Sequence, residues 1–229
     1  MNTFTSFLDP RRPNGASTLV SLLLLAPAGC ASYSAKPLDA RQEASAIVEQ
    51  KEAEGLYVAA KDLSAPRDSL QFFDRELLAY SYVPVMVLLE LDRASEGVFD
   101  VRRDDILLCL RDGSRLKTAD PLEVAGAVSF SHVRTVFGFV PLIIPGFFVA
   151  SSVNSANEAI EIDYQLKALK SVRINPNMRS FRSVVFFRIP AAAQGRFTMD
   201  DAFLEVKVHK RGNAGAVGKV IEFPVHFGT

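Results

Sequence analysis

The stretch Val98-Phe-Asp-Val-Arg-Arg-Asp-Asp-Ile-Leu-Leu-Cys-Leu-Arg-Asp-Gly113 decides the fold class. Its second half, Ile106 to Leu110, is a short apolar run of strand length, and Asp112-Gly113 is the hairpin signal that turns a strand back on itself. Arg115-Leu-Lys117 then reads as the returning strand, and Ser95-Glu-Gly97 marks a turn on the other side. Working outward, Tyr82-Val-Pro-Val-Met-Val-Leu-Leu-Glu-Leu91 is the strongest strand in the chain. Pro84 has no amide hydrogen to give a ladder, so it belongs at a strand's beginning or at a sheet edge. Leu56-Tyr-Val-Ala-Ala60, opened by Gly55, is a further strand. Between these two, Leu70, Phe73, Leu77 and Tyr80 recur at helical spacing, which predicts a helix over residues 69–80 with Asp68 as its cap.

Strand patterns resume near the C-terminus. Ser183-Val-Val-Phe-Phe-Arg-Ile189 stops before Pro190, and Val220-Ile-Glu-Phe-Pro-Val-His-Phe227 lies near the chain's end. In Ala202-Phe-Leu-Glu-Val-Lys-Val-His209, Leu204, Val206 and Val208 share one face, while Phe203, Glu205 and Lys207 share the other. The glycine-rich run Gly212-Asn-Ala-Gly-Ala-Val-Gly218 sits between two strands, so it reads as a hairpin loop rather than a phosphate cradle, which needs a helix behind it. Several short strands with regular turn signals predict a β-sandwich.

The order of these segments resembles the immunoglobulin-like, telokin-like domains of many bacterial lipoproteins. The likeness rests on Val98 to Gly113, on Ile174-Asn-Pro-Asn177 before Ser183 to Pro190, and on Phe203 to Val208, and it spans roughly residues 56–117 and 166–227. It implies a mainly β fold, an immunoglobulin-like sandwich occupying residues 55–229. Residues 119–165 interrupt it as a helical, apolar insertion, α+β overall. The family shares no activity, so the resemblance carries no chemistry.

The N-terminus reads as an address. Arg11 and Arg12 precede Ser17-Thr-Leu-Val-Ser-Leu-Leu-Leu-Leu-Ala-Pro-Ala-Gly-Cys30, a basic region, an apolar core and small residues before a cysteine. Ala28, Gly29 and Cys30 resemble the lipobox of bacterial lipoproteins, although Pro27 stands where an aliphatic residue is usual. The resemblance implies removal of residues 1–29 and acylation of Cys30, with membrane lipid as the first partner. Ala31 in place of aspartate points by the same resemblance to the outer membrane, with the protein facing the periplasm. Residues 30–54 then read as the lipidated cysteine and a polar tether, with a short helix begun by Asp39 and Gln42.

The insertion is the most telling segment. Asp120 and Pro121 start a helix running to Val128. Residues 135–157 are 23 consecutive uncharged positions. The apolar centre, residues 136–150, spans only ~22 Å as helix, against the ~30 Å of a bilayer core. Pro141 and Pro145-Gly146 predict a turn and hence a hairpin of two short arms. Phe137, Phe139, Leu142, Ile143, Ile144, Phe147 and Phe148 are its contact residues, whether for lipid or for an envelope protein partner. The same hairpin can instead fold over an open face of the sandwich as core. After it, residues 157–169 read as a mixed helix with Ala159, Ile162 and Leu166 on one stripe.

Composition and motifs argue against other classes. The chain's 26 basic and 26 acidic residues cancel, which is unlike a nucleic-acid binder. His132, His209 and His226 lack metal-ligand spacing, and Ser129-Phe-Ser-His132 lacks a nucleophile elbow. Asp104-Asp105 and Asp200-Asp201 lack the alternating ligands of a calcium loop. Cys109, in an apolar run, reads as a buried small hydrophobe. The sequence thus predicts a non-enzymatic envelope lipoprotein without a cofactor, serving as a binding or structural module. The alternative is a component of an envelope assembly or secretion complex that oligomerises or docks through the insertion.

Overall fold

The computed structural model describes residues 32–38, 50–130, 143–190, 197–200, 202–212 and 218–227, and over residues 143–152 the backbone alone. Its strands form two antiparallel sheets. β1 (Gln50–Ala53), β2 (Leu56–Asp62), β3 (Tyr82–Leu91) and β7 (Ser180–Arg188) are neighbours in the first sheet. β5 (Arg115–Lys117), β4 (Phe99–Cys109), β8 (Phe203–Lys210) and β9 (Lys219–His226) are neighbours in the second, where β6 (Ser171–Ile174) also pairs with the first half of β4. The protein is mainly β and sandwich-like. Segments from before and after residues 119–165 pair in both sheets, β3 with β7 and β4 with β8, so both flanks of that stretch lie on the same side of any membrane.

Alternation fixes which side chains meet. Val83, Val85, Val87 and Leu89 of β3 and Val185 and Phe187 of β7 point between the sheets, onto Leu204, Val206 and Val208 of β8 and Ile106 and Leu108 of β4. Burying each such side chain contributes about 1.5–3 kcal/mol. The first sheet has a second buried face. Tyr82 and Met86 of β3 and Val184 and Phe186 of β7 point outward into a separate apolar core under the helices. β3 is buried on both faces apart from Glu90, which is why its sequence is almost unbroken in hydrophobicity. Pro84, the strand's third residue, pairs with Phe186 of β7 and lies one residue beyond the end of the β2 ladder, so it sits at the strand's beginning and not at a sheet edge.

The decisive stretch, read as a strand only over residues 106–110, is one long strand with a bulge. Val101 pairs with Val208 and Ile106 with Val206, so five steps along β4 match two along β8. The odd spacing would turn Val101 and Ile106 to opposite faces. The irregularity at Arg102 to Asp105 restores both to the core and sends the charges outward. Another turn sets the fold's start. Glu54 and Gly55, both with positive φ (55° and 81°), join β1 to β2, so residues 50–53, read as the end of a tether, are a strand.

Helices cover the outer face of the first sheet. The helix predicted over residues 69–80 is divided: α1 (Pro66–Phe73) ends at Asp74 in the left-handed region, and a 3-10 turn (Leu77–Tyr80) follows. Ser69 causes the break. Its wholly buried hydroxyl donates to Arg75 O at 2.7 Å and accepts from Leu77 N at 3.0 Å. Asp68 makes no cap and pairs with Lys61 at 3.1 Å. Phe72, Phe73 and Leu77 are buried, while Leu70 and Tyr80 of the expected stripe are exposed. α2 (Pro121–Val128) starts as expected, with Asp120 Oδ1 accepting from Leu122 N at 2.8 Å.

Of the predicted hairpin, residues 136–142, with Pro141, lie outside the described residues, and the stretch from Ile143 on belongs to α3 (Ile143–Lys167). Pro145 and Gly146 lie in its first turn, where a proline removes no intrahelical hydrogen bond, so the backbone is already helical where a turn was expected. Its buried side is Val153, Ala156, Ile160 and Tyr164. The stripe of Ala159, Ile162 and Leu166 does share one face, but it is the exposed one. Among the described residues no helix is long and apolar enough to cross a membrane.

Candidate functional site

Residues 32–38, only two positions beyond Cys30, lie against α1 and α3. Tyr33 and Leu38 pack on the helix-covered core. The Tyr33 hydroxyl donates to Asp163 Oδ2 at 2.5 Å, and Lys36 N donates to Gln71 O at 2.9 Å. Ser34 N also approaches Asp74 Oδ2 at 3.4 Å. The segment is a strap across the helical layer.

Beneath the strap is a buried charge. Lys167 is only 6% exposed. Its Nζ donates to Asp163 Oδ2 and to Phe72 O, both at 2.5 Å, and sits 5.5 Å from the centre of the Phe73 ring. One carboxylate oxygen of Asp163 therefore receives both the ammonium, one helical turn on, and the phenol of the strap. Burial lowers the Lys167 pKa, and Asp163 opposes that shift. Burial, then the Asp163 carboxylate, raises the Tyr33 phenol well above its ordinary value. Ser183 of β7 donates to Lys167 O at 2.8 Å, tying the end of α3 to the sheet. Beside the cluster, Tyr164 stacks on Phe186 at 5.6 Å, and its buried hydroxyl has no partner among the described residues.

The far side of the layer is pinned by Asn157. Its amide accepts from Phe130 N at 2.8 Å and donates to Phe130 O at 3.2 Å, while the Arg75 guanidinium lies 4.2 Å above the Phe130 ring. α1, α2 and α3 are thus bound to one another and to the strap by side chains distant in sequence.

A separate open cavity of about 560 Å³ lies beside the β4 bulge and the start of α2. Arg102, Arg103, Lys170, Asp120 and Leu122 line it, and Arg103 is held by Asp120 at 3.3 Å. It offers cations and carboxylates but no histidine or cysteine. Among the described residues no three of histidine, cysteine, aspartate and glutamate gather as a metal site. His209 lies 2.9 Å from Asp105 across the bulge, and the His226 ring lies 5.3 Å from Phe203.

Of the sequence-predicted contact residues, Cys30, Phe137, Phe139 and Leu142 lie outside the described residues, as do His132 and the short helix expected after Asp39. Ile143, Ile144, Phe147 and Phe148 belong to the opening turns of α3, and their side chains also lie outside the description. Cys109 is buried and free; burial, then Glu205, raises its thiol pKa, as suits a packed, unreactive cysteine. Sequence reasoning missed Tyr33, Asp163 and Lys167. The available signals were an aromatic residue close behind Cys30 and an acid–base pair four apart on α3. Scans against protein-family models, curated proteins and solved structures each return no match.

Proposed function

We propose that this chain is a lipid-anchored protein of a bacterial cell envelope, a non-catalytic binding or structural module held at the membrane by acylated Cys30. The signal-like segment and the small residues before Cys30 supply the address. The observation that carries the reading is the strap: three residues beyond Cys30, Tyr33 is bound into the folded body. A chain cleaved before Cys30 keeps the whole strap, and its anchor emerges beside the domain. The two antiparallel sheets and their shared core suit an immunoglobulin-like sandwich. Ala31 favours the outer membrane, with the domain in the periplasm.

Labelled palmitate fed to bacteria expressing the chain tests this reading. The wild type incorporates label and sediments with membranes, while Cys30→Ser does neither. Membrane retention of Cys30→Ser, without label in either form, would overturn it.

A further inference from the structure

We propose that the exposed face of α3 carrying Ala159, Ile162 and Leu166 rests on the leaflet that holds the Cys30 acyl chains; this deepens the lipid-anchor reading and rests on it. An extended residue spans at most ~3.6 Å, so three steps place Cys30 within about 11 Å of Tyr33. Tyr33 is bound to Asp163, and Asp163 lies on the flank of this face, next to Ile162 and one turn from both Ala159 and Leu166. Ile162 is 53% exposed and Leu166 79%, with Ala159 exposed one turn earlier. A short, bound leash leaves the anchor little freedom to carry the membrane to another side of the molecule. The apolar stripe and the acyl attachment therefore meet the same surface.

Charge sets the kind of lipid. Glu158 and Glu161 are exposed along one side of the apolar stripe, so the face as a whole is not basic. It suits a leaflet rich in zwitterionic phosphatidylethanolamine, with the carboxylates in headgroup water and the leucine and isoleucine at the acyl boundary. Contact of this kind depends on apolar burial and is little altered by salt.

The full acylated protein, reconstituted in vesicles of phosphatidylethanolamine and phosphatidylglycerol, tests the orientation. An environment-sensitive fluorophore is placed at Leu166→Cys, Ile162→Cys or, as a control on the second sheet, Val220→Cys; Val220 is 47% exposed on β9. Nitroxide-labelled lipid should quench the α3 probes several-fold more than the β9 probe. Adding Tyr33→Ala should erase that difference while flotation persists. Equal quenching at Leu166→Cys and Val220→Cys in protein that still floats would overturn the orientation and leave the anchor standing. Shielding of the α3 probes without vesicles, in a Cys30→Ser background, would also overturn it by showing that protein covers the face. Failure of the wild type to float would overturn the anchor and the orientation together.

Discussion

The Tyr33 hydroxyl donates to Asp163 Oδ2 at 2.5 Å, across 130 positions of sequence. Lys167 shares that oxygen, so one carboxylate joins the strap behind Cys30 to the only lysine buried among the described residues. The strap, α1 and α3 are therefore a single arrangement, and a change at any of its three polar groups should be felt at the strap.

Tyr33→Phe keeps the ring in its packing and deletes one hydrogen bond to a charged group. The expected cost is ~1–2 kcal/mol, concentrated in docking of the strap. Limited chymotrypsin digestion should cut faster after residue 33, where the enzyme accepts phenylalanine as it does tyrosine, in a segment whose Lys36 amide is held on Gln71 O in the native chain. Unchanged cleavage would show that packing alone holds the segment.

Asp163→Ala leaves the Lys167 ammonium buried with Phe72 O as its remaining partner among the described residues. Removing one member of a buried pair typically costs about 3–5 kcal/mol, and partial exposure of Asp163 puts the expectation near the lower end. Lys167→Met removes the charge itself and should cost less. Urea unfolding of the two variants checks the order, and a more severe Lys167→Met would reverse the argument.

Glu54 should shape the acid limb of stability. Lys210 Nζ at 2.5 Å and Lys219 Nζ at 2.7 Å lower its pKa from 4.5 to about 2. The folded state therefore holds the carboxylate charged where the unfolded chain takes up a proton. The stabilisation is present above pH 4.5 and is lost as pH falls from there toward about 2. Glu54→Gln should flatten that part of a stability–pH curve, and raised salt should flatten it in the wild type because the group is exposed. A curve identical for variant and wild type would remove the pairs from the account.

Phe186 should be the key of the helix–sheet contact. It is 1% exposed and meets Phe73 and Tyr164, both at 5.6 Å. Phe186→Ala should cost ~3–5 kcal/mol. Its neighbour Phe187 points into the other core. Hydrogen exchange should thus quicken in α1 and α3 for Phe186→Ala, and across both sheets for Phe187→Ala. Identical exchange patterns would mean that the two cores do not loosen separately.

The longer strands β3 and β8 were legible from their buried faces. Leu204, Val206 and Val208 alternate as written, and the β3 run is bounded as its hydrophobicity implies. Asp120-Pro121 likewise marks its helix start unaided, since a cap is a local interaction. What could not be read depends on distant partners. Ser69 breaks a helix pattern because Arg75 and Leu77 use its hydroxyl, and β6, only four residues long, exists through pairing with β4. The α3 stripe was visible at Ala159, Ile162 and Leu166, but periodicity cannot say which of two faces meets the sheet. Tyr164 and Lys167 occupy the inward side because the aromatic cluster and Phe72 O receive them there. The strap was invisible for the same reason: nothing near Tyr33 announces Asp163.

The central claim, an acylated Cys30 at the head of a strap docked on the helical layer, is tested most directly at the mature N-terminus. The protein is extracted from bacterial membranes, digested, and its first peptide weighed by mass spectrometry. The account predicts a peptide beginning at Cys30 and heavier than its sequence by a diacylglyceryl group, with or without a further acyl chain. A first peptide that begins elsewhere, or that begins at Cys30 with an unmodified thiol, would contradict it.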